Sequence, residues 1–486
     1  MKARKKNTTI MFMFGMVVFI LLTAMFPNYD NKIYEINYLI DLICLVVLFW
    51  IYLVGYLLNK YDFLSPITFF SALFFFMFYV APIYDLLTEE ILWFNVDLFS
   101  YGIKGSLYAF LGYLCFYVAY VLSFKNKADD FTATINYSYV NDDRSNYRLK
   151  ALIIAGYAIC LLASIFYVVK TGGQSLLYIF TLGLFGKGNT GDVTNNLGFV
   201  IMLSYCLTSF TLLYCEYGNS KFLKVLFFIL MFQIHVVRGF RFIIIQIAIT
   251  FVFYWILSKN SHLKKSLVIS FLLLVLASII IMTMFRNAIR DGDGVDVEKL
   301  SLEPIKTALD DAFWDNLRIY KNYYALIKVV PEETPYMYGK QMFVYTIIML
   351  IPRAIWTNKP ENPGTTAIGV ALGTVAVKGG TAYPCLGEYY YEFGLVGIIV
   401  FLTIFGLWMK KSEYRFRFCN RGKIDLMKYC TLVGLILQIV IRGYTPSNFW
   451  LVVFSLIPYW IAEHYVKSNP AYSFNSSKWN NNWKGD

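Results

Sequence analysis

Charged side chains are scarce in this chain. Only 15% of its 486 residues are Asp, Glu, Lys or Arg, whereas 58% are hydrophobic and 19% aromatic, and the mean hydropathy is +0.54. These values exclude an ordinary soluble globular protein and predict an all-α polytopic membrane protein. The formal net charge of +12 is weak support for nucleic-acid binding, because basic residues of membrane proteins gather on the cytoplasmic side whatever the function.

Metal-binding patterns are also missing. The eight cysteines form no CxxC pair and no zinc-like spacing. The three histidines, His235, His262 and His464, are too scattered to suggest a metal site. Cysteines in apolar runs are usually small buried hydrophobes. We therefore expect no metal site and no cofactor.

Long apolar runs predict about twelve transmembrane helices. They lie near 10–26, 36–58, 67–87, 103–124, 151–169, 197–215, 222–237, 240–257, 266–285, 391–409, 429–443 and 447–466. The first is expected to be retained, because no clear A-x-A cleavage site follows it. The basic segments 1–6, 258–265 and 410–428 are then cytoplasmic, as are both termini, and 88–100 is external.

The twelve predicted helices divide the chain into four regions. We expect a membrane domain of about nine helices over 1–285, a large extracytoplasmic loop over 286–390 and C-terminal helices over 391–466, followed by a cytoplasmic tail over 467–486. A long loop in a compact protein is usually functional or disordered, and its aromatic residues argue against disorder. The run near 342–352 is too short to cross the membrane and predicts a re-entrant or interfacial helix.

The number of membrane spans in the apolar run 222–257 determines on which side of the membrane every later loop lies. As one helix, its roughly 36 residues would be about 54 Å long, well beyond the roughly 30 Å of a bilayer core. A single span would also move the basic segments 258–265 and 410–428 to the outside. We therefore predict two helices that turn at Arg238 and Gly239, where glycine tolerates the angles of a tight turn.

Seven basic residues are predicted to gather at the external face. They are Arg238, Arg241, Arg286, Arg290, Arg353, Lys359 and Arg442. Two turns, VVRGFRF and VIRGYTP, each place Arg-Gly-aromatic there. A guanidinium offers planar donors that fit phosphate oxygens in pairs, so the group suits a pyrophosphate at lipid depth. The alternative is that each cation snorkels or pairs with a nearby acid.

The stretch CLGEYYYEFGLVG, 385–397, carries Glu388 and Glu392 at the start of the tenth helix. Acidic residues stabilise the positive end of a helix dipole, which alone could explain them. Glu388 is also a candidate base that accepts a proton from an attacking sugar hydroxyl. His235 is an alternative base, although a lone histidine on an apolar helix more often has a packing role.

Prolines and glycines in TNKPENPGTTAIG, 357–369, predict a non-helical path. One interpretation is an ordinary surface loop. The other is the irregular wall of an external cavity, with exposed aromatic residues available to stack on sugar faces.

The block IPRAIWTNKPENPG and the later GEYYYEFGLVG resemble the PRxxWPxKP and GExYxxFG pattern of Wzy-type polymerases of O-antigen and capsule repeat units, with Thr357 where the pattern often has proline. The resemblance implies a GT-C-like, metal-independent membrane glycosyltransferase. It would transfer a growing glycan from undecaprenyl pyrophosphate to another lipid-linked oligosaccharide repeat unit, on the external side of a bacterial inner or plasma membrane.

With this reaction in mind we assign roles to the candidate residues; the family pattern itself does not settle which residue is the base. Glu388, Arg238 and Arg353 would be catalytic. Five arginines would bind and stabilise the departing pyrophosphate, with Lys359 and Arg442 as further contacts; the five are Arg238, Arg241, Arg286, Arg290 and Arg353. A flippase and a chain-length regulator are expected as partners, and nucleic acid is not.

Two other functions stay open at this point. An O-antigen-ligase-like transferase would use the same donor and a different acceptor. A flippase or transporter for lipid-linked sugars would be expected to hide polar groups near the bilayer midplane and to show repeats between its halves. In this sequence the candidate site residues are predicted to lie at one membrane face, and the two halves of the chain show no repeat. Both features favour an enzyme.

Overall fold

The structure, a computed structural model, describes residues 31–122, 143–172, 200, 202–237, 241–258, 314, 317–351, 355–356, 358–373, 382–419 and 422–468. The first seven helices are α1 (Lys32–Leu57), α2 (Pro66–Leu87), α3 (Gly102–Leu122, after a 3-10 turn at Phe99–Tyr101), α4 (Asp143–Gly172), α5 (Ser204–Tyr217), α6 (Lys221–Val237) and α7 (Arg241–Leu257). The later helices are α8 (Tyr320–Val329), α9 (π-helical Lys340–Val344 continued by Tyr345–Ile348), α10 (Pro363–Ala371), α11 (Cys385–Glu413, then π-helical Tyr414–Cys419), α12 (Lys423–Ile441) and α13 (Thr445–Ser468). A short antiparallel hairpin of β1 (Leu92–Trp93) and β2 (Val96–Asp97) lies between α2 and α3.

Seven of the described helices are long and apolar enough to cross a membrane. They are α1, α2, α3, α4, α11, α12 and α13. The chain is therefore a predominantly helical, polytopic membrane protein. The predicted spans near 10–26 and 266–285 lie outside the described residues, and the total of twelve, like the GT-C-like arrangement, stays a prediction.

The apolar run 222–257 forms two helices. Helix α6 ends at Val237 and α7 begins at Arg241, and each contains 17 residues. At 1.5 Å per residue each helix is about 26 Å long, which is close to the thickness of a bilayer core. The two helices also contact each other. Residues 238–240, where the turn is predicted, lie outside the described residues.

The most extensive contact between two described helices is that of α3 with α11. A Cβ atom on Gly406 would lie 2.6 Å from the carbonyl oxygen of Phe116, so only glycine lets the two backbones approach this closely. Aromatic rings fill the space beside them: the centroids of Phe70 and Phe116 are 3.9 Å apart. Small residues at the crossing and large rings around it explain how two apolar helices pack without a hydrophobic driving force between them.

Ion pairs join the helices at one end of the bundle. The Arg417 guanidinium donates to both carboxylate oxygens of Asp62, at 3.0 and 2.6 Å, and its Nη1 also lies 3.1 Å from Glu413. Two further pairs are Lys423–Glu216 and Lys428–Glu463. Several cations of the basic segment 410–428, including Arg417, Lys423 and Lys428, are thus paired within the protein, and the segment is also predicted to follow the positive-inside rule. Which end of the bundle faces the cytoplasm stays a prediction.

At the other end of α2, the buried carboxylate of Asp85 joins this helix to the segment that leads into α8. Arg318 Nε lies 2.8 Å from one oxygen, and Lys321 Nζ lies 2.9 Å from the other. The Tyr320 hydroxyl donates to the same carboxylate at 2.9 Å, and Lys321 also donates to the carbonyl of Glu90. Burial lowers the pKa of Lys321, and the attraction of Asp85 opposes that shift.

The β-hairpin makes a second connection at this end. The indole of Trp93 donates to the Asn322 side chain at 2.8 Å, and Asn322 in turn donates to the carbonyl of Ala382 at 2.6 Å. The segments 88–100 and 286–390, both predicted to be external, therefore meet at one end of the bundle.

Helix α11 contains a break that separates its first eight residues from the rest. Phe393 (φ −144°, ψ 22°) and Gly394 (φ 62°, ψ −144°) have non-helical angles. A positive φ costs glycine little because it has no Cβ. The short helix Cys385–Glu392 can therefore point in its own direction while the remainder of α11 continues along α3.

Two predictions for the loop 286–390 can be compared with the structure. The run near 342–352 contains the short helix α9, whose Phe343 and Ile347 side chains are 64% and 70% exposed; its place relative to the membrane stays a prediction. The non-helical path predicted for 357–369 is confirmed for 358–362 and is wrong from Pro363, where α10 begins. Asn362 caps this helix through Gly364 N at 3.0 Å, and proline is well tolerated at the first helical position.

Candidate active site

Glu388 lies at the centre of a buried hydrogen-bond network. Its side chain is fully buried, and its two oxygens accept the Thr445 backbone N–H at 2.8 and 2.9 Å. The Thr445 hydroxyl donates at 2.7 Å, and the Gln341 amide donates at 3.1 Å. Thr445 is the first residue of α13, so the carboxylate of Glu388 caps the positive end of that helix.

The Glu392 carboxylate caps the start of a different helix, α9. One of its oxygens accepts Gly339 N at 2.6 Å and the other accepts Met342 N at 2.7 Å, both at the start of α9. The sequence predicts both glutamates at the start of their own helix, and Glu388 does lie in the first turn of α11. In addition, both carboxylates lie at the beginnings of helices that come from distant parts of the chain.

Gln341 connects Glu388 to α10. Its amide nitrogen donates to the Tyr383 hydroxyl at 2.9 Å as well as to Glu388, and its amide oxygen accepts Gly364 N at 3.2 Å. Tyr383 donates to Asn362 at 3.1 Å. Burial raises the pKa of Tyr383 well above its usual range, and the charge of Glu388 adds to the rise. The Tyr383 hydroxyl therefore stays protonated and able to donate.

The second Arg-Gly-aromatic turn, at Arg442, contacts the start of α7 beside this network. The guanidinium carbon of Arg442 lies 4.7 Å from the ring centre of Phe242, in the first turn of α7. Gly443 N donates to the Tyr383 carbonyl at 2.8 Å. A Cβ atom on Gly443 would lie 2.4 Å from the backbone of Cys385, so this turn requires glycine. The contact brings Arg442 and the start of α7 close to the residues around Glu388.

Lys359 lies near the other end of α9. Its ammonium donates to the carbonyls of Met349 at 3.1 Å and Ile351 at 2.9 Å. These carbonyls follow the last turn of α9, where a cation is favourable. At least two of the three donors of Lys359 are therefore used by the main chain, and its predicted contact with phosphate stays a prediction.

The remaining predicted cations cannot be compared with the structure. Arg238, Arg286, Arg290 and Arg353 lie outside the described residues, and Arg241 is described only as the first residue of α7. Their convergence on one site stays a prediction. Among the described residues, no group of three or more His, Cys, Asp or Glu side chains could hold a metal ion.

A family model described as O-antigen polysaccharide polymerase Wzy matches residues 9–469. The chain belongs to this family. Membership of the Wzy family makes it a glycosyltransferase-type polymerase that acts on lipid-linked oligosaccharide repeat units in a membrane. No curated protein and no solved structure matches the chain.

Sequence reasoning missed three residues of this Wzy site. Asn362 could have been found, because Asn followed by Pro is a common helix start. Gln341 and Thr445 gave no such signal. Each acts through a partner about fifty or more residues away in the chain, and no local pattern reports such a contact.

Substitution of Glu388 by glutamine tests whether this carboxylate caps α13. Glu388→Gln is expected to lower the free energy of unfolding by about 1–3 kcal/mol, because the new amide nitrogen would face donors from Thr445 and Gln341. Thr445→Val, which removes one donor, is expected to have a smaller effect of about 1 kcal/mol. The measurement is thermal unfolding of the purified protein in detergent.

The matched control is Glu333→Gln, which removes a negative charge from an exposed side chain in the same segment. It is expected to leave the unfolding midpoint unchanged. If Glu388→Gln abolishes activity and unfolds at the wild-type temperature, the capping interpretation is wrong and the general-base role predicted from the sequence is supported.

Proposed function

We propose that this Wzy-family chain transfers a growing glycan from undecaprenyl pyrophosphate to another lipid-linked repeat unit on the external face of the bacterial plasma membrane. The observation that carries the proposal is the contact of Arg442 with Phe242. It supports a site in which two arginine-bearing turns lie next to the network around Glu388. Both termini would be cytoplasmic, and a flippase and a chain-length regulator would be its partners.

The proposed reaction is one displacement at a sugar carbon. A hydroxyl of the acceptor attacks C1 of the donor sugar, and the bond between C1 and the pyrophosphate oxygen breaks. Undecaprenyl pyrophosphate leaves with the bonding electrons, and the hydroxyl proton passes to a base. Guanidinium groups would oppose the charge that develops on the leaving group. Because they supply the positive charge, the proposal invokes no metal ion.

The geometry around Glu388 supports a positioning role more directly than a role as the base. Both oxygens already accept hydrogen bonds from Thr445, and one also accepts from Gln341. To accept a proton from a sugar hydroxyl, Glu388 would have to give up part of this network. As a positioning residue it would hold α13 and the Arg442 turn in place beside the reacting groups.

Deletion of the gene, followed by analysis of surface glycan length, tests the proposal. A polymerase is expected to leave surface lipid that carries a single repeat unit, and the plasmid-borne gene is expected to restore long chains. Accumulation of unattached polymer would instead identify a ligase. Loss of all external repeat units would identify a flippase or transporter.

A further inference from the structure

An open cavity of about 330 Å³ lies beside the Glu388 network. Residues from α9, α10, the short helix before the α11 break and the connecting segments line it; they include Thr334, Tyr345, Glu361, Pro363, Val370 and Tyr391. This volume is at the small end of the roughly 300–1,000 Å³ that is usual for ligand sites. The cavity is therefore large enough for a small part of a ligand rather than for a whole lipid-linked oligosaccharide.

Hydrogen bonds next to the Glu388 network hold the walls of the cavity. Tyr391 lies between the two capping glutamates on the short helix, and its hydroxyl is 3.5 Å from the carbonyl of Pro363. Tyr345 belongs to α9, whose first turn is capped by Glu392. Both tyrosines are largely buried and form the inner wall. The shape of the cavity is thus set by the packing of three helices.

The mouth of the cavity is more polar. Glu361 and Thr366 are exposed there, and Val370 is 48% exposed. Glu361 is exposed, so its carboxylate can reach a ligand at the mouth, and among the described residues it makes no hydrogen bond or ion pair. A sugar ring has apolar C–H faces and hydroxyl donors. Proline, valine and tyrosine surfaces suit the faces, and a carboxylate suits the hydroxyls.

We propose that this cavity binds the sugar at the acceptor end of the lipid-linked repeat unit. The inference rests on the proposed function, and it adds where the acceptor sugar binds and which charge on that sugar the site prefers. An acceptor sugar lies far from its own pyrophosphate, whereas the C1 of the donor is attached directly to one. The negative charge of Glu361 disfavours a diphosphate or an acidic sugar, and it favours a neutral or amine-bearing ring.

Binding of a free oligosaccharide to the full-length protein in detergent tests the inference. The probe is the repeat-unit oligosaccharide of the host strain, released from its lipid by mild acid hydrolysis. Val370→Trp, which fills the mouth, is expected to raise the Kd at least about tenfold, and Glu361→Gln by about threefold to tenfold, as loss of a charge-assisted hydrogen bond would cause. Both variants are expected to shorten the surface glycan.

Matched controls come from the same part of the chain. Val344→Trp adds an indole at a side chain that is 46% exposed and outside the cavity lining, and Glu333→Gln removes an exposed charge. Both are expected to bind the probe as the wild type does, and all four variants are expected to unfold at the wild-type temperature. Unchanged Kd values for Val370→Trp and Glu361→Gln would overturn the inference.

Two further outcomes keep the inference separate from the proposed function. If the wild-type gene restores long glycans while both cavity variants bind the probe normally, the cavity assignment fails and the polymerase stands. If the variants lose binding but deletion of the gene leaves glycan length unchanged, the cavity assignment stands and the polymerase fails. Tighter binding of a probe that bears a uronic acid would overturn the charge preference.

Discussion

Asp85→Asn is expected to lower the free energy of unfolding by about 3–5 kcal/mol, the usual cost of removing one partner from a buried ion pair. The carboxylate of Asp85 is fully buried and serves both Arg318 and Lys321, and the Lys321 side chain is 2% exposed. Without Asp85, that ammonium would lose its paired carboxylate and keep only the weaker attraction of Glu90. The result would be a lower midpoint of thermal unfolding in detergent and the loss of the connection between α2 and α8.

This destabilisation is expected to depend on pH. Burial already lowers the pKa of Lys321 from its ordinary value of 10.5, and Asp85 opposes that shift. Removal of Asp85 lowers the folded-state pKa further. The unfolded chain then binds more protons than the folded one over a wider range, so the stability of the variant rises with pH. The difference in free energy of unfolding between the wild type and Asp85→Asn should therefore be largest at neutral pH and become smaller as the pH approaches 10.5.

Two further variants test whether the loss of stability comes from the ion pairs of Asp85. Glu89→Gln makes the same charge change at an exposed position four residues away and is expected to shift the midpoint little. The double variant Asp85→Asn with Lys321→Gln removes the buried cation as well and is expected to recover part of the lost stability. Equal midpoints for Asp85→Asn and Glu89→Gln would show that Asp85 does not join these segments.

Arg238→Lys and Arg353→Lys are each expected to reduce the rate of polymerisation roughly 100-fold, which is the scale for loss of one preorganised donor to a developing negative charge. Lysine keeps the charge, but its ammonium cannot reproduce the two parallel hydrogen bonds of a guanidinium to phosphate. The measurement is the length of glycan made in a deletion strain that carries each variant, with the amount of membrane-inserted protein measured in parallel.

Arg415→Lys is the matched control for these two variants. It makes the same replacement in the basic segment predicted to be cytoplasmic, and it is expected to leave glycan length unchanged. Near-normal glycan length with both Arg238→Lys and Arg353→Lys would contradict the assignment of these arginines to the pyrophosphate.

Much of the helical framework could be predicted because it depends on local properties. The length of an apolar run and the sign of its flanking charges are visible in the sequence, and they divided 222–257 where α6 ends and α7 begins. The family motif was visible for a similar reason, since its residues are close together in the chain. The non-helical path predicted for 357–369 was wrong for 363–369, because the rule against proline in helices does not apply at the first helical position.

The contacts of the candidate site could not be predicted from such local properties. The pattern around Glu388 and Glu392 indicates that two carboxylates lie at a helix start, but it does not say which N–H groups they meet. Those groups belong to α13 and α9. Likewise, the basic segment 410–428 was visible as charge, whereas the pairing of Arg417 with Asp62 depends on tertiary packing.

The break in α11 has a consequence for how this region can vary in sequence. It frees carbonyls at the end of the short helix, and these accept hydrogen bonds from main-chain N–H groups of the neighbouring segment: Met337 N donates to Tyr391 O and Tyr338 N to Glu392 O, each at 3.0 Å. Such bonds do not depend on which side chains the donors carry. We therefore expect relatives to change the side chain at 337 freely, to keep at 338 a residue that tolerates its positive φ of 48°, and to retain the glycine at 394.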